Sequence, residues 1–362
     1  MSPPPRRLTL HDQLVALLRE GIDHARWTRE LPSEAELCRE FQVSRMTLRK
    51  ALAQLALERV IELGGRGCRH RIRRKVKRQL PATARTIRLL TPFGMQRSGS
   101  INSVIINSFH DRVAALGFRL EIEHHPGIFE RYQPAKLARL DALPDTAAWV
   151  LFYSNEQIQQ WFVSRGRPTV LAGRAMEEIP LTTVFPDTEA SGRHAAGLFY
   201  ARGYREMVYL RAELTSLGDR LGSEAFVAEA RRLGARARIL TYGEHGPLVA
   251  KMMWDLIASR PRPTAYVVGA SEVAITVLCH LLSAGIRVPA DAGLIAMWDE
   301  HHHDLTFPTI ARYRIDAGLY GRRMADAVLD VIHHGNVVVR RVPLIPEFVA
   351  GGSVGPAGKH GA

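Results

Sequence analysis

Short apolar runs alternate with stretches of helical periodicity from Thr86 onward, and this alternation limits the possible folds more than any other feature of the sequence. The apolar runs have the length of buried strands, and the segments between them have the length of helices. Repeated strand and helix units of this kind imply parallel sheets, so we predict an α/β body of about 270 residues. The predicted strands are residues 87–91, 118–122, 149–153, 169–171, 182–185, 207–210, 237–240, 264–268 and 293–297.

These strands fall into two sets, which predicts a body with two lobes. The first lobe is expected to comprise about residues 86–187 and 309–334, and the second about residues 188–299 and 337–350. The glycine-rich residues 351–362 are expected to form a flexible tail.

The segment before the body has a different charge balance. The first 80 residues contain 18 Lys and Arg against 9 Asp and Glu, so +9 of the total net charge of +13 lies there. The rest of the chain is nearly neutral. A basic head joined to a neutral body indicates a polyanionic partner for the head.

Cysteine usage and the absence of long apolar segments limit the compartment. Cys38, Cys68 and Cys279 are widely spaced, which excludes a disulfide framework and a CxxC metal site. The first residues lack the apolar stretch of a signal peptide, and no apolar run is long enough to cross a bilayer. We therefore expect a cytoplasmic protein without membrane contact.

Three helices are predicted in the head. The first has an apolar stripe formed by Leu10, Leu14, Leu17, Leu18 and Ile22. Ser33 and Glu36 have the spacing of a capping box, which marks the start of a second helix that ends near Phe41. Ser44 is a good N-cap for a third helix. Its predicted buried side is Leu48, Leu52 and Leu55, and its outward side begins with Arg45, Thr47, Arg49 and Lys50.

Two short helices joined by a tight turn, the second beginning with basic and hydroxyl side chains, are suited to reading the DNA major groove. Arg can bond guanine through two hydrogen bonds, while backbone amides and Ser hydroxyls bind phosphate. Residues 60–63 and 68–72 flank Gly64-Gly65-Arg66-Gly67, which predicts a hairpin able to enter the adjacent minor groove. The alternative is a small helical domain whose surface arginines are incidental.

The order and spacing of these features resemble the GntR family of winged helix-turn-helix regulators. The resemblance covers about residues 8–73 and rests on Leu31-Pro32-Ser33-Glu34, on Val43-Ser44-Arg45-Met46-Thr47-Leu48-Arg49-Lys50-Ala51-Leu52, and on the Gly64 to Gly67 wing. It implies a DNA-binding domain over residues 1–75. In that family the start of the recognition helix and the wing tip touch DNA, which assigns DNA contacts here to Ser44, Arg45, Thr47, Arg49, Gly65 and Arg66.

One departure from the family concerns the second helix. The family often has Arg between the two acidic residues after Pro-Ser, whereas this chain has Ala35. One expected DNA contact is therefore absent, and the operator sequence can differ accordingly.

A basic run connects the head to the body. Eight Lys and Arg and no acidic residue occur from Arg66 to Arg78. The run is either a solvated tether or also a source of phosphate contacts, which would steepen the dependence of DNA affinity on salt. Residues 76–85, basic at first and then containing Pro81, are predicted to be the linker.

Several segments of the body are similar to the periplasmic-binding-protein type 1 sensor of the LacI family. The resemblance covers about residues 86–350 and implies a ligand between two lobes, at the carboxyl ends of the strands, where open α/β sheets generally bind ligands. The segments are residues 103–121 with Leu116-Gly117-Phe118, Phe185-Pro186-Asp187 followed by Ser191-Gly192, Arg220-Leu221 before a helix ending at Leu233-Gly234, residues 284–291, and Phe307-Pro308-Thr309-Ile310 before a helix from Ala317.

The resemblance also assigns candidate effector contacts. Asp187 and Arg220 are expected to hold opposite sides of a polar effector, and Trp298 to stack on its apolar face. Each candidate equally fits a structural role at a strand end. The family's Asn-Asp is replaced by Ala270-Ser271, so a usual polar sugar contact is absent. A second departure replaces the family's Gly-Tyr-Asp-Asp with Ala296-Met297-Trp298-Asp299. The candidate effector residues are Phe93, Tyr153, Asp187, Arg220, Ser271, Trp298 and Asp299.

The sequence therefore predicts a transcription regulator, more specifically a repressor, whose body binds a small, sugar-like effector that changes operator affinity. The expected partners are a double-stranded DNA operator, the effector and a second copy of the chain, because a two-fold dimer reads two half-sites. No enzymatic activity, cofactor or metal is predicted. His301-His302-His303-Asp304 is a poor metal site because consecutive side chains on a loop seldom converge on one ion.

Two alternatives stay open. The first is a GntR-like head fused to a pyridoxal-phosphate enzyme, whose Schiff base would need Lys136, Lys251 or Lys359. The second is a small-molecule binding protein without a regulatory role.

Overall fold

The computed structural model describes residues 14–15, 17–18, 22, 27, 30–57, 60–65, 69–72, 84–92, 94, 100–213, 215–243, 246–337 and 339–355. Predictions made for Arg66, Phe93, most of the linker and residues 356–362 lie outside these ranges. The chain divides into two compact units, Met1–Gln79 and Leu80–Ala362, called the head and the body below. This division falls within the linker proposed at residues 76–85.

The head combines helices with a two-stranded hairpin. Helix α1 (Glu34–Phe41) and helix α2 (Arg45–Leu57) are separated by Gln42-Val43-Ser44. Strands β1 (Ile61–Glu62) and β2 (Arg71–Ile72) pair antiparallel. The predicted helix-turn-helix and wing are thus confirmed. The core of the head consists of Leu14, Leu18, Leu31, Leu37, Leu48, Ala51, Leu52, Leu55, Val60, Ile61 and Ile72.

The first lobe of the body begins with alternating strands and helices, as predicted. Apolar side chains of adjacent strand residues point to opposite faces, so Leu89 and Leu90 belong to different cores, and helices cover both faces. The elements in chain order are β3 (Thr86–Thr91), α3 (Ser100–Ala114), β4 (Arg119–His124), α4 (Pro126–Glu130), α5 (Pro134–Asp141), β5 (Thr146–Phe152), α6 (Glu156–Arg165), β6 (Thr169–Ala172) and β7 (Thr182–Pro186).

The second lobe repeats this pattern. The elements are α7 (Thr188–Ala201), β8 (Glu206–Ala212), α8 (Leu217–Arg232), β9 (Arg236–Tyr242), α9 (Gly246–Ala258), β10 (Ala265–Val268), α10 (Ser271–Ser283), β11 (Gly293–Ala296), β12 (Ala311–Arg314), α11 (Ala317–His334), β13 (Arg341–Leu344) and β14 (Glu347–Val349). After β11 and β12 the chain returns to the first lobe with α11, the longest of the described helices.

Each lobe is built on one six-stranded sheet. The first sheet has the order β13-β7-β6-β5-β3-β4, and all its neighbours are parallel. The second has the order β14-β12-β11-β10-β8-β9 and is parallel except at β14, which runs antiparallel to β12. The predicted two-lobed α/β architecture is confirmed.

The boundaries of the lobes differ from the expected ones at two strands. β12 was expected in the first lobe, yet its backbone pairs with β11 in the second sheet. β13 was expected in the second lobe, yet it pairs with β7 in the first sheet. Only α11 returns to the first lobe where predicted, packing Tyr320, Met324 and Val328 into its core. Strands join a sheet through backbone hydrogen bonds to partners distant in the chain, which short sequence patterns do not reveal.

The segment expected to be a flexible tail is partly ordered into the second lobe. Ser353 is fully buried, and its hydroxyl donates to the carbonyl of Leu294 at 2.6 Å. It also accepts a hydrogen bond from the amide of Ala311 at 2.9 Å. Residues 351–355 therefore belong to the packed body, because Ser353 satisfies backbone groups of β11 and β12.

Helices α7 and α8 approach each other closely at two glycines. A Cβ atom on Gly192 would collide with the carbonyl oxygen of Gly222. The start of α8 is fixed as well, since the Thr188 hydroxyl donates to the Gly218 carbonyl at 2.6 Å. This contact fixes the direction in which the first turn of α8 presents its side chains.

None of the described helices has both the length and the apolar character needed to cross a bilayer.

Candidate functional site

The start of α2 carries the side chains predicted to read DNA. The Ser44 hydroxyl accepts the amide hydrogen of Thr47 at 3.1 Å, which makes Ser44 the N-cap, and it lies 2.9 Å from the Thr47 hydroxyl. Arg45, Arg49 and Lys50 are exposed. They form one surface of the helix, which buries its leucines on the other side. A basic helix start with a polar cap is what the prediction requires.

Met46 was not among the predicted contacts, but it lies on the same surface. Its side chain is 71% exposed between those of Arg45 and Arg49. An exposed methionine at a helix start can contact thymine methyl groups or sugars. In the sequence, the signal was its position in the first turn of α2, because an apolar residue is unusual on an exposed helix face.

The helix before the reading helix begins as predicted. Glu36 accepts the amide hydrogen of Ser33 at 2.8 Å, and Ser33 accepts that of Glu36 at 3.3 Å. This capping box fixes the start of α1. At the other end Gln42 adopts a left-handed conformation with φ 51°, which turns the chain toward α2.

The base of the wing is anchored to the core of the head. Gly65 is exposed, and no atom lies within 4 Å of the position that a Cβ atom would take there. Arg66 lies outside the described residues. The amide of Gly64 donates to Nδ1 of His70, a nearly buried side chain on the opposite strand segment, at 3.2 Å. The wing therefore has a fixed base beneath the predicted contact at its tip.

An acidic residue also lies at this surface. Nε of Arg49 donates to both oxygens of Glu34, at 3.0 and 3.2 Å. Oε1 of Glu34 in turn lies 3.7 Å from Nε2 of His70. Glu34 was quoted in the family resemblance, but no role was predicted for it.

In the body, the predicted residues after β10 and β11 lie together. The hydroxyl of Ser271 donates to the carbonyl of Trp298 at 3.2 Å. Trp298 packs against the cores of both lobes, so it lies where the lobes meet. Asp299 follows directly. These three residues occupy the carboxyl ends of parallel strands, where α/β sheets bind ligands.

Tyr153 brings the first lobe to the same region. It follows β5 with a left-handed backbone, φ 52°, and its hydroxyl accepts a hydrogen bond from Asn102 at 3.4 Å. Burial raises the pKa of this hydroxyl, and the charges of Asp219 and Glu272 raise it further. The charges of two carboxylates of the second lobe therefore act on a side chain of the first.

Asp219 is the cleft residue that sequence reasoning missed. Its Oδ2 accepts hydrogen bonds from the hydroxyls of Ser216 at 2.8 Å and Thr215 at 3.3 Å. The indole of Trp298 also donates to it. Burial raises the pKa of this carboxyl, and the hydrogen bonds oppose that shift. Only its position beside Arg220 in the resemblance could have drawn attention to it.

Arg220 and Asp187 are placed differently from what their sequence positions suggested. Arg220 lies one residue further along α8 with an exposed side chain. Asp187 is the N-cap of α7 and accepts the amide hydrogen of Ala190 at 3.0 Å. The starts of α7 and α8 are in contact, so these residues do not face each other from opposite sides of the cleft. Effector contacts by either residue stay predictions.

Asp299 is engaged by two arginines. It accepts a hydrogen bond from Nε of Arg314 at 2.6 Å and another from Arg312. Arg312 is 1% exposed and also pairs with Asp304 at 2.7 Å. A cavity of about 290 Å³ lies beside this cluster, lined on the first-lobe side by Ile101 and Val104 of α3. The arginines hold the loop after β11 against β12.

The histidine run adjoins this cluster. His303 is fully buried, and its Nδ1 lies 3.4 Å from the amide of Glu300. Burial lowers the pKa of His303. Across the described residues, no three His, Cys, Asp or Glu side chains are arranged to hold a metal ion.

Two family models match the chain. The model for bacterial regulatory proteins of the gntR family matches residues 10–69, and that for a periplasmic binding protein-like domain matches residues 196–354. A curated relative, the HTH-type transcriptional regulator PtxS of Pseudomonas putida, is 26% identical over 196 residues, or 54% of this chain and 57% of PtxS. The match thus spans little more than half the length of that relative.

Solved structures of transcriptional regulators share this fold. A LacI-family regulator from Bifidobacterium animalis subsp. lactis has a TM-score of 0.66 at 18% identity, covering 76% of this chain and 99% of its own. One from Enterococcus faecium with bound ribose has a TM-score of 0.62 at 17% identity, covering 75% and 99%. The regulator CelR in complex with cellobiose has a TM-score of 0.66 at 17% identity, covering 86% and 92%.

Both ends of the chain are thereby assigned to known domain types. The body has the periplasmic binding protein-like fold, which does not support the alternative of a pyridoxal-phosphate enzyme body. Lys251, one of the three lysines that such an enzyme could use, is paired with Asp255 at 2.7 Å on the surface of α9. The chain thus combines a domain of the gntR family over residues 10–69 with a periplasmic binding protein-like domain whose family model matches residues 196–354.

Proposed function

We propose that this chain regulates transcription by binding a DNA operator through its head and a small, sugar-like effector through the cleft of its body. The observation that carries the proposal is the exposed basic start of α2, capped by Ser44 and placed beside a wing, in a gntR-family domain. A helix of this kind fits the major groove, where Arg45 and Arg49 can bond guanine.

The chemistry of the cleft favours a neutral, hydroxylated effector. Asp219 supplies a carboxylate acceptor, and Trp298 supplies an apolar ring between the lobes. Arg312 and Arg314 are already neutralised by Asp299 and Asp304, so they do not favour an anion. Sugars combine hydroxyl donors with an apolar ring face, which matches this pair. The ribose and cellobiose bound to two structurally similar regulators agree with this class.

The regulator is further proposed to act as a homodimer paired through its body. Helices α9 and α10 carry the exposed apolar side chains of Leu248, Trp254 and Leu282. The rings of Trp254 and His280 lie 5.7 Å apart, so the two helices share one surface. An exposed apolar surface of this kind is typical of interaction sites. Sedimentation of the Trp254→Glu variant should give a monomer where the parent gives a dimer; equal masses would place the interface elsewhere.

The function is tested by selecting operators from random double-stranded DNA with the full chain. Fluorescence anisotropy then measures affinity for the selected sequence, with and without a panel of mono- and disaccharides. We expect one selected motif and at least one sugar that changes its affinity. Failure to enrich any sequence would favour the alternative of a binding protein without a regulatory role.

A further inference from the structure

We infer that Glu34 and His70 are positioning residues that hold Arg49 and the wing in one arrangement, so that an acidic side chain at the DNA-binding surface strengthens operator binding. This inference rests on the proposed DNA-reading function of α2. It concerns the conformation of Arg49 and the wing in the protein without DNA.

The first step is the geometry of the Glu34 carboxylate. Glu34 is the first residue of α1, while the amides at this helix start are capped by Ser33. Its carboxylate points instead to α2, where both oxygens accept hydrogen bonds from Nε of Arg49. The side chain of Glu34 is 28% exposed and that of Arg49 is 68% exposed. The ion pair thus joins a partly buried carboxylate to an exposed guanidinium group.

The second step is the part of Arg49 that this contact leaves for DNA. A guanidinium group has five N–H donors in a fixed fork, and Glu34 binds the one on Nε. The two terminal nitrogens carry the donors that bond O6 and N7 of guanine. Holding Nε therefore restricts the rotamers of Arg49 and leaves its base-reading end in place. Restricting a flexible side chain before binding reduces the entropy lost on binding.

The third step is the tautomer of His70. Its Nδ1 accepts the Gly64 amide hydrogen, so in the neutral ring the proton is on Nε2. Nε2 faces Oε1 of Glu34 at 3.7 Å and has no hydrogen-bond partner at normal distance among the described residues. The ring is almost inaccessible. His70 therefore directs an N–H toward the Glu34 carboxylate while its other nitrogen holds the base of the wing.

The fourth step is that backbone contacts tie the same segment of the wing to the residues just before α1. The amide of Leu31 donates to the carbonyl of His70 at 2.9 Å, and Glu30 forms an antiparallel bridge with Arg71. Three elements that contact or support DNA, namely α1, α2 and the wing, thus meet at Glu34. The arrangement makes the reading helix and the wing one rigid surface.

The direction in which operator affinity changes when Glu34 is neutralised distinguishes a positioning role from that of an ordinary surface acid. A carboxylate near DNA repels phosphates, so its neutralisation ordinarily leaves affinity unchanged or raises it. For a positioning residue, Glu34→Gln should instead weaken operator binding, by about three- to tenfold at fixed salt. Binding to unrelated DNA should not weaken. The specificity ratio therefore falls.

The matched control is Glu36→Gln. It removes the same charge from the same helix, and glutamine preserves a capping box. Its operator affinity, measured by fluorescence anisotropy beside that of Glu34→Gln, should equal or exceed that of the parent. Equal effects of the two substitutions would overturn the inference. Thermal unfolding of both variants shows that the head remains folded.

A double-mutant cycle tests whether Glu34 acts through Arg49. In the Arg49→Ala background, Glu34→Gln should no longer reduce operator affinity; a full additional loss would show that Glu34 acts elsewhere. His70→Asn keeps an acceptor for Gly64 but removes the N–H facing Glu34, and it should weaken operator binding in the same non-additive way. If Arg45→Ala and Arg49→Ala both bind the operator like the parent, the proposed reading helix is wrong; if only Glu34→Gln is silent, the positioning role alone fails.

Discussion

The buried guanidinium of Arg312 is paired with the carboxylate of Asp299, a residue that the sequence assigned to effector binding. Burial by itself would raise the pKa of Asp299, but hydrogen bonds from Arg314 and Arg312 hold it below its ordinary value. Both arginines come from β12, so the pairing ties the loop after β11 to the neighbouring strand. Asp299 thus has a structural function, and any contact with an effector must use an already engaged carboxylate.

Replacing Asp299 with Asn should destabilise the body. The substitution removes a charge-assisted hydrogen bond from the buried Arg312, which keeps Asp304 as a charged partner, so the expected loss is about 1.5 to 3 kcal/mol. Urea unfolding measures the loss. Asp255→Asn is the control, since the Lys251–Asp255 pair is exposed and such pairs contribute about 0.5 kcal/mol or less. Equal stabilities of the two variants would contradict the structural role.

The same pair predicts a dependence on pH. The folded-state pKa of Asp299 is depressed, so its contribution to stability is present above its ordinary pKa of 3.8 and is lost as the pH falls through the folded value. The difference in stability between the parent and Asp299→Asn should therefore be full at neutral pH and shrink in acid. Unfolding experiments between neutral pH and pH 3 check this. A constant difference would show that the charge of Asp299 is not responsible.

Arg45→Ala and Arg49→Ala should each weaken operator binding by about 1 to 3 kcal/mol with little change in thermal stability. Both side chains are exposed on α2, whose buried face is formed by leucines. Gel-shift affinities at fixed salt provide the measurement, and Arg39→Ala, which removes an exposed arginine from α1, is a suitable control. Parental affinity in both arginine variants would mean that α2 does not read DNA.

The basic run before the body should contribute equally to the binding of every DNA sequence. Neutralising Arg73, Arg74, Lys75 and Lys77 together should lower affinity for all DNA to a similar extent and flatten the slope of log affinity against log salt. The ratio of operator to unrelated DNA affinity should survive. An unchanged slope would identify the run as a solvated tether.

Asp219→Asn should weaken sugar binding more than Arg220→Ala does. The Asp219 carboxylate lies in the cleft beside Trp298, whereas the Arg220 side chain is exposed. Losing a charged acceptor for a hydroxyl costs about 1.5 to 3 kcal/mol. Calorimetry with the sugar identified in the panel measures both variants, and DNA affinity without sugar should stay within about threefold of the parent, a shift under about 1 kcal/mol. A larger loss from Arg220→Ala would return the polar anchor to that residue.

The structure of the head was predicted from the sequence more completely than that of the body. In the head, the capping box at Ser33, the N-cap at Ser44 and the leucine spacing of α2 are local signals, and the structure contains all three. In the body, the same kind of reasoning located β3 to β11 but missed β12, β13 and β14, and it placed the residues of β12 and β13 in the wrong lobes. Local periodicity depends on which faces are buried, and pairing depends on backbone groups far apart in sequence.

The sequence by itself thus determined the order of the elements as far as β11, the two domain types and the position of α2, because capping and periodicity act over a few residues. Only the tertiary structure decided which charged side chains meet. It brought Asp219 to Trp298, engaged Asp299 with Arg312, and joined Glu34 to Arg49 and His70. Such pairings depend on how helices and strands that are distant in the chain pack together. A local sequence pattern does not show which of these elements become neighbours.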